Sequence, residues 1–109
     1  MQRLQMTVAV ATVLRAFVDE PSRPHYGYEL MKLTGFPSGK LYPILARLQR
    51  AGWLVKETEP VDPAAAGRPV RRFYLLTSGG LEAARIELAK LGERLRLVPS
   101  PLLPEGGHA

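Results

Sequence analysis

The stretch FPSGKLYPILARLQRAGWL, residues 36–54, decides the fold that we expect for this chain. At 100° per residue, four apolar side chains of this stretch fall on one side of a helix: Leu41, Ile44, Leu45 and Leu48. Across from them lie Lys40, Pro43, Arg47 and Arg50. The stretch therefore predicts an amphipathic helix with an ordinary core face, a basic outer face and a proline close to its start.

The proline is compatible with the helix because of its position. If Ser38 or Gly39 is the N-cap, Pro43 removes at most one early backbone hydrogen bond, which costs well below the ~3 kcal/mol of a mid-helix proline. Pro43 also restricts the backbone of Tyr42. Ser38, Lys40 and Tyr42 then lie at the positive end of the helix dipole, where a phosphate binds favourably. The alternative is a surface helix with solvated arginines and a half-buried Tyr42.

The remaining elements follow from apolar periodicity and from proline and glycine. The first half of the chain is predicted to contain a helix over 3–19, a loop over 20–24, a short helix in HYGYELMKLTG that ends at Gly35, and the basic helix, which ends near Ala51 and Gly52. A strand over 53–59 follows, with Trp53 and Val55 on one side, and then a flexible loop over 60–69 and a second strand over 70–76. The last predicted element is a helix from Gly79 to Leu97, capped by Thr77 or Ser78.

This order predicts a mainly α fold with a small β-hairpin, namely a winged helix-turn-helix with an additional C-terminal dimerisation helix. Residues 1–77 would form the winged helix-turn-helix DNA-binding domain, and residues 78–98 the helix for dimerisation. Residues 99–109, which are rich in proline and glycine, are predicted to be a disordered tail.

The charge of the chain is concentrated in one segment. The net charge is +5, and residues 38–72 hold seven basic side chains against three acidic ones. Such a local excess is expected of a polyanion-binding protein, although a solvated surface is the simpler alternative. Arg68 is expected at the mobile tip of the wing, and Arg71 and Arg72 should point to opposite faces of their strand. We assign to the DNA-binding surface Tyr26, Ser38, Lys40, Tyr42, Pro43, Arg47, Arg50, Arg68 and Arg71.

Two apolar patterns predict a dimer. The first helix has apolar side chains on nearly opposite sides, and the last helix has an a/d seam with spacings of 3, 4, 3 and 4 residues. One small domain would cover only part of this surface, although packing within a single chain is the alternative. The residues that we assign to dimerisation are Leu4, Val8, Leu81, Ala84, Leu88, Leu91 and Leu95.

Other classes of protein find little support. There is no cysteine, and the two histidines, His25 and His108, form no catalytic or metal-binding pattern, so no enzyme, cofactor or metal site is expected. The apolar run 6–18 is too short and too interrupted to span a membrane, and the N-terminus makes a poor signal peptide. We therefore expect a cytoplasmic protein.

Three segments together resemble the PadR family of winged-helix transcription regulators. They are YGYELMKLTG (26–35), PSGKLYPILARLQRAGWL (37–54) and GRPVRRFYLLTSGG (67–80). Two departures stand out: Lys40 occupies the position of the family's threonine, and the C-terminal region is short. The resemblance implies a homodimer that binds a near-palindromic operator, usually as a repressor, and for some members a small-molecule effector near the dimer interface. A winged-helix protein-interaction module without DNA contact is the rival interpretation.

Overall fold

The computed structural model describes residues 4–97, and its elements confirm the expected fold class. In chain order they are α1 (Val8–Val18), β1 (His25–Tyr26), α2 (Gly27–Thr34), α3 (Ser38–Arg50), β2 (Leu54–Thr58), α4 (Pro63–Ala66), β3 (Arg72–Leu76) and α5 (Ser78–Arg96). The predicted disordered tail, residues 99–109, lies outside the described residues. Within those residues, no helix combines the length and the apolar character that crossing a bilayer requires.

The sheet has three strands rather than the two of the predicted hairpin. Its antiparallel order is β1-β3-β2, with His25 opposite Tyr74 in one pair of strands and Leu54 opposite Leu76 in the other. His25 and Tyr26 were predicted to belong to the second helix, because two residues are too few to show the alternation of a strand. Through its pairing with β3, β1 joins the start of α2 to the wing, which is the hairpin of β2, β3 and the loop between them, residues 54–76.

Two helices start at other residues than predicted. The first helix was expected from Arg3 but begins at Val8, because the hydroxyl of Thr7 accepts a hydrogen bond from the amide of Val10 at 3.1 Å. For α3 the N-cap is Pro37 instead of Ser38 or Gly39, and its carbonyl accepts from the amides of residues 40 and 41 at 3.0 Å. Gly35 ends α2 with a φ of 75°, as predicted.

The core is formed mainly by α1, α3 and the base of the sheet. The predicted apolar face of α3, Leu41, Ile44, Leu45 and Leu48, is fully buried. The predicted pairing of Trp53 and Val55 on one side is wrong, since Trp53 and Leu54 are buried and Val55 is exposed. The reason is that Trp53 belongs to the turn after α3, where its amide donates to the carbonyl of Leu48 at 2.9 Å.

The wing loop is more ordered than the flexible loop that its composition predicts. It contains the single turn α4, which Asp62 caps by accepting a hydrogen bond from the amide of Ala64 at 3.1 Å. Gly67 ends this turn with a φ of 70°, a conformation that glycine adopts without strain. The wing therefore has a defined shape at its tip.

The start of α5 is attached to the turn after α3. The hydroxyl of Thr77 accepts from the amide of Gly80 at 2.8 Å and donates to the carbonyl of Gly52 at 2.9 Å. A Cβ atom on Gly80 would lie 2.8 Å from the Cα of Trp53 and closer still to its carbonyl oxygen. These atoms are backbone and cannot move aside as the end of a side chain can, so this contact requires glycine.

We expect Gly80→Ala to destabilise the fold and Gly92→Ala, in the same helix, to stabilise it. Overpacking against backbone costs about 1–3 kcal/mol. A Cβ on Gly92 meets no atom within 4 Å, so alanine there gains about 0.5–1 kcal/mol of helix propensity. Urea unfolding of both variants measures the two changes. Equal stabilities would show that Gly80 is not in tight contact with Trp53.

Candidate nucleic-acid interface

The outer face of α3 is open to solvent, as the sequence predicts. Ser38, Lys40, Pro43, Arg47 and Arg50 are all exposed. Pro43 is the sixth residue of the helix, which continues through it without a break. Proline has no N–H to donate to the carbonyl of residue 39, so the cost is confined to one hydrogen bond near the helix start. The basic helix is therefore presented intact.

Most basic side chains of the segment 38–72 have no acidic partner among residues 4–97. Among residues 4–97, salt bridges within 4.0 Å involve none of Lys40, Arg47, Arg50, Lys56, Arg71 and Arg72. Away from this segment, Arg15 and Arg23 pair with nearby acidic side chains. A cation without an acidic partner meets a polyanion without first breaking a salt bridge in its own chain. The positive charge of α3 and the wing is therefore available for binding.

Arg68 differs from the other basic residues of the segment and from its predicted place. It forms a salt bridge with Glu59, instead of lying free at a mobile wing tip. The same carboxylate accepts a hydrogen bond from the amide of Arg71 at 2.9 Å. The hydrogen bond from Arg68 and then that from the Arg71 amide lower the pKa of Glu59. Arg68 therefore holds the ends of the wing loop together.

Arg71 belongs to an aromatic cluster beside the wing. Its guanidinium lies 5.8 Å from the centre of the Tyr28 ring. Tyr28 stacks on Tyr26 with 5.6 Å between ring centres, and Tyr26 meets the ring of Phe73 edge-on at 6.0 Å. Tyr26 is thus held in place at the N-terminus of α2. Tyr28 was not among the residues predicted to contact DNA, although it lies two residues after Tyr26 and is half exposed.

On the other face of β3, a polar cavity separates α3 from the wing. It has a volume of about 310 Å³ and is lined by Gly27, Tyr42, Lys56, Val70, Arg72 and Tyr74. Tyr42 passes over Gly27 so closely that a Cβ on Gly27 would lie 2.9 Å from the Cζ atom of the tyrosine. Lys56, Arg72 and Tyr74 were not among the residues predicted from the sequence to contact DNA. The strand alternation of residues 72, 74 and 76 was the signal that could have found Arg72 and Tyr74, whereas Lys56 joins them only through the pairing of β2 with β3.

The residues assigned to dimerisation differ in how deeply they are buried in the single chain. Ala84 is fully buried in the core of its own domain, which corrects its assignment, and Leu4 and Leu88 pack partly against that core. Leu81 instead lines a shallow pocket beside the sheet. By contrast, Val8 is 60% exposed and Leu95 is 51% exposed. The a/d seam of α5 thus serves its own domain at the N-terminal end and leaves its C-terminal end open.

An apolar groove of about 530 Å³ runs along this open end. Its apolar lining comes from α1, the end of α2 and α5, and includes Val8, Ala11, Leu33, Leu88, Leu91 and Leu95. Arg15, Asp19, Glu20 and Arg23 lie at its polar margin, where Arg15 pairs with Asp19 at 2.9 Å. This lining brings together four of the seven predicted dimerisation residues.

His25 lies at the inner side of the same groove. Its side chain is 1% exposed, meets Phe17 edge-on at 5.0 Å, and leaves both ring nitrogens without a partner among the described residues. Burial lowers the pKa of His25, and the nearby Arg23 lowers it further, against the opposing effect of Glu29 and Glu20. The folded state therefore favours the neutral form of His25.

We expect the stability of the fold to decrease as the pH falls below about 6.5. With a folded-state pKa below the ordinary value of 6.5, the unfolded chain binds more protons in this range, so unfolding becomes easier until the folded-state pKa is passed. Replacing His25 with leucine should remove this part of the pH dependence. The check is urea unfolding of both proteins between pH 8 and pH 5. Parallel pH profiles would contradict the prediction.

The comparisons with known proteins agree with this architecture. The model of the transcriptional regulator PadR-like family matches residues 14–86. A PadR family transcriptional regulator from Eggerthella lenta DSM 2243 has a similar structure, with a TM-score of 0.62 and 26% identity over 94% of this chain and 88% of that chain. Comparison with curated proteins gave no match.

Two further solved structures share the fold. The smu.1704 protein of Streptococcus mutans UA159 has a TM-score of 0.61 and 24% identity over 86% of this chain and 88% of that chain. Reduced AbfR bound to DNA has a TM-score of 0.60 and 21% identity over 87% of this chain and 60% of that chain. At these identities the likeness concerns the fold.

Proposed function

Because this chain belongs to the PadR-like family of transcriptional regulators, we propose that it binds a near-palindromic operator as a homodimer and represses transcription. Members of this family are transcription regulators and not enzymes. The fold that this chain shares with AbfR is one that binds DNA in that protein. As part of the same proposal, the protein acts in the cytoplasm, where its DNA partner lies.

The observation that carries the proposal is the set of basic side chains on α3 and the wing that form no salt bridge within the described part of the chain. In a winged helix-turn-helix, the third helix enters the major groove of DNA and its side chains reach the base edges. Arg47 and Arg50 project from the outer face of α3, and Lys40 lies nearer its start. We assign base readout to Arg47, and backbone contacts to Ser38, Lys40 and Tyr42 at the positive end of the helix dipole.

The groove along α1 and α5 supports the homodimer. A contiguous apolar surface of this kind usually marks an interface, and a second copy would cover Val8 and Leu95. A two-fold dimer would place two copies of α3 about 34 Å apart, which is one turn of DNA. The small-molecule effector that some relatives bind would lie at the same groove, since it adjoins the surface that we assign to the dimer.

Binding to random duplex DNA at low salt tests the proposal against the rival protein-interaction module. We expect micromolar affinity that falls steeply with salt, because each neutralised phosphate adds about 0.9 to the slope of log K against log salt. Arg50→Glu should weaken this binding much more than Arg85→Glu, which changes charge equally on the exposed surface of α5. Absence of binding at low salt would favour the interaction module.

A further inference from the structure

We propose that Gly27, Tyr42, Lys56, Arg72 and Tyr74 form a phosphate cradle, a site that holds one backbone phosphate of bound DNA between α3 and the wing. This inference rests on the proposed function, because the phosphodiester that it assigns to the cavity is that of DNA. It adds Lys56, Arg72 and Tyr74 to the contacts with the DNA backbone.

The first observation is the chemistry of the cavity. Two cationic side chains and two phenol side chains line a space of about 310 Å³. Within the described part of the chain, neither Lys56 nor Arg72 has a salt bridge. A phosphodiester accepts hydrogen bonds through its oxygens and carries a full negative charge, so this lining complements it.

The second observation is the burial and protonation of Tyr74. Its side chain is 6% exposed, yet it lines the cavity, and residues 4–97 provide no hydrogen bond to its hydroxyl. Burial raises the pKa of Tyr74 above its ordinary value, so the hydroxyl keeps its proton at neutral pH and can act as a donor. The hydroxyl is not among the polar atoms of residues 4–97 that are buried without a partner, so it lies at the surface of the cavity and can donate to an anion bound there.

The third observation is the contact between Gly27 and Tyr42. Because glycine has no Cβ, the phenol ring of Tyr42 passes directly over the first residue of α2. The amides of a helix's first turn have no acceptor within the helix and add positive potential there. The cradle is thus assembled from α2, α3, β2 and β3. A phosphate bound there would connect the recognition helix to the wing and determine the position of α3 on the duplex.

The register of the sheet explains why the two cations converge. Lys56 lies opposite Tyr74 in the pairing of β2 with β3, and Arg72 is two residues before Tyr74 on the same side of β3. Arg71 points to the other face, toward Tyr28. Of the two neighbouring arginines, only Arg72 can therefore reach a ligand in the cradle.

The test measures affinity for random duplex DNA as a function of salt. Arg72→Gln and Lys56→Gln should each weaken binding, whereas Arg85→Gln should not. Because both cations meet one phosphate, the double variant should lower the salt slope by about 0.9 per bound subunit, and each single variant should lower it by less. Tyr74→Phe should weaken binding about tenfold, because it removes a hydrogen bond to a charged group, and should leave the slope unchanged.

Duplexes with one uncharged methylphosphonate then locate the phosphate. Replacing one particular phosphate in each half-site should weaken binding of the unmodified protein. The same replacement should no longer weaken binding of Arg72→Gln, which should still respond when other contacted phosphates are replaced. Normal DNA binding and an unchanged salt slope for the double variant would overturn the cradle and leave the proposed function intact. Slope losses of about 0.9 in each single variant, which add in the double variant, would assign the two cations to separate phosphates and also overturn it. Failure of the unmodified protein to bind DNA would overturn both.

Discussion

The double variant Val8→Glu, Leu95→Asp is expected to be a folded monomer that binds operator DNA at least a hundredfold more weakly than the unmodified protein. Both side chains are mostly exposed in the single chain, so charge at these positions should leave the fold of the domain unchanged. In a dimer they would be buried, and an unpaired buried carboxylate is costly. Sedimentation at micromolar concentration measures the oligomeric state, and unfolding in urea measures the stability of the fold.

The expected loss of operator affinity follows from the linkage of two DNA-binding subunits in one dimer. When one subunit has bound its half-site, the second binds as an intramolecular event, which raises the overall affinity by about 10²–10⁴. A monomer loses this gain although its α3 and wing are unchanged. Binding to random duplex DNA should therefore distinguish loss of the dimer from damage to the DNA-binding surface. The monomer keeps the basic side chains of α3 and the wing, so it should still bind random DNA.

A matched control exists on the same helix. Ile86 is 49% exposed, close to the 51% of Leu95, and lies on the opposite side of α5 from Leu88, Leu91 and Leu95. Ile86→Asp should therefore remain dimeric and bind the operator normally. Leu88 is a poorer position for the test, because it packs against the core of its own domain. A Val8→Glu, Leu95→Asp protein that remains dimeric would show that the groove is not the interface.

Arg47→Ala is expected to weaken binding to the operator by about 1–3 kcal/mol and to remove the preference at one or two base positions. Arg47 is exposed, has no salt bridge among the described residues, and lies on the outer face of α3. An arginine in the major groove can donate two hydrogen bonds to the edge of a guanine, and alanine offers none.

The comparison with random duplex DNA decides the role of Arg47. A base contact contributes to the operator only, so the ratio of operator affinity to random affinity should fall. A phosphate contact contributes equally to both, and the ratio would stay constant. Arg85→Ala, which removes the same charge from α5, controls for the change in net charge. Equal losses on both DNAs would show that Arg47 contacts the backbone and reads no base.

The periodic segments were the predictable part of the fold. The core face of α3 follows from four leucine and isoleucine positions and is buried as predicted. By contrast, β1 has two residues and exists through its pairing with β3, which no local pattern contains. The short helix α4 was missed because three alanines between two prolines and a glycine also fit an irregular loop. Asp62, which caps this helix, was the available signal.

The positions of charged residues and the alternation of side chains along a strand predicted the candidate site in part. They correctly gave an exposed basic face on α3 and placed Arg71 and Arg72 on opposite sides of the strand. They could not show that Glu59, nine residues before Arg68, folds back to pair with it. Nor could they bring Lys56 and Arg72 together with Tyr42, because that convergence depends on the register of β2 with β3 and on the packing of α2 against α3.

Selection of bound sequences from a pool of random duplex DNA tests the central claim most directly. A dimer that presents two copies of α3 across a two-fold axis should enrich two inverted half-sites whose centres lie about one helical turn apart. The Val8→Glu, Leu95→Asp variant should enrich single half-sites, and only weakly. Enrichment of one asymmetric site by the unmodified protein, or DNA binding without any enrichment, would contradict a dimeric, sequence-specific regulator.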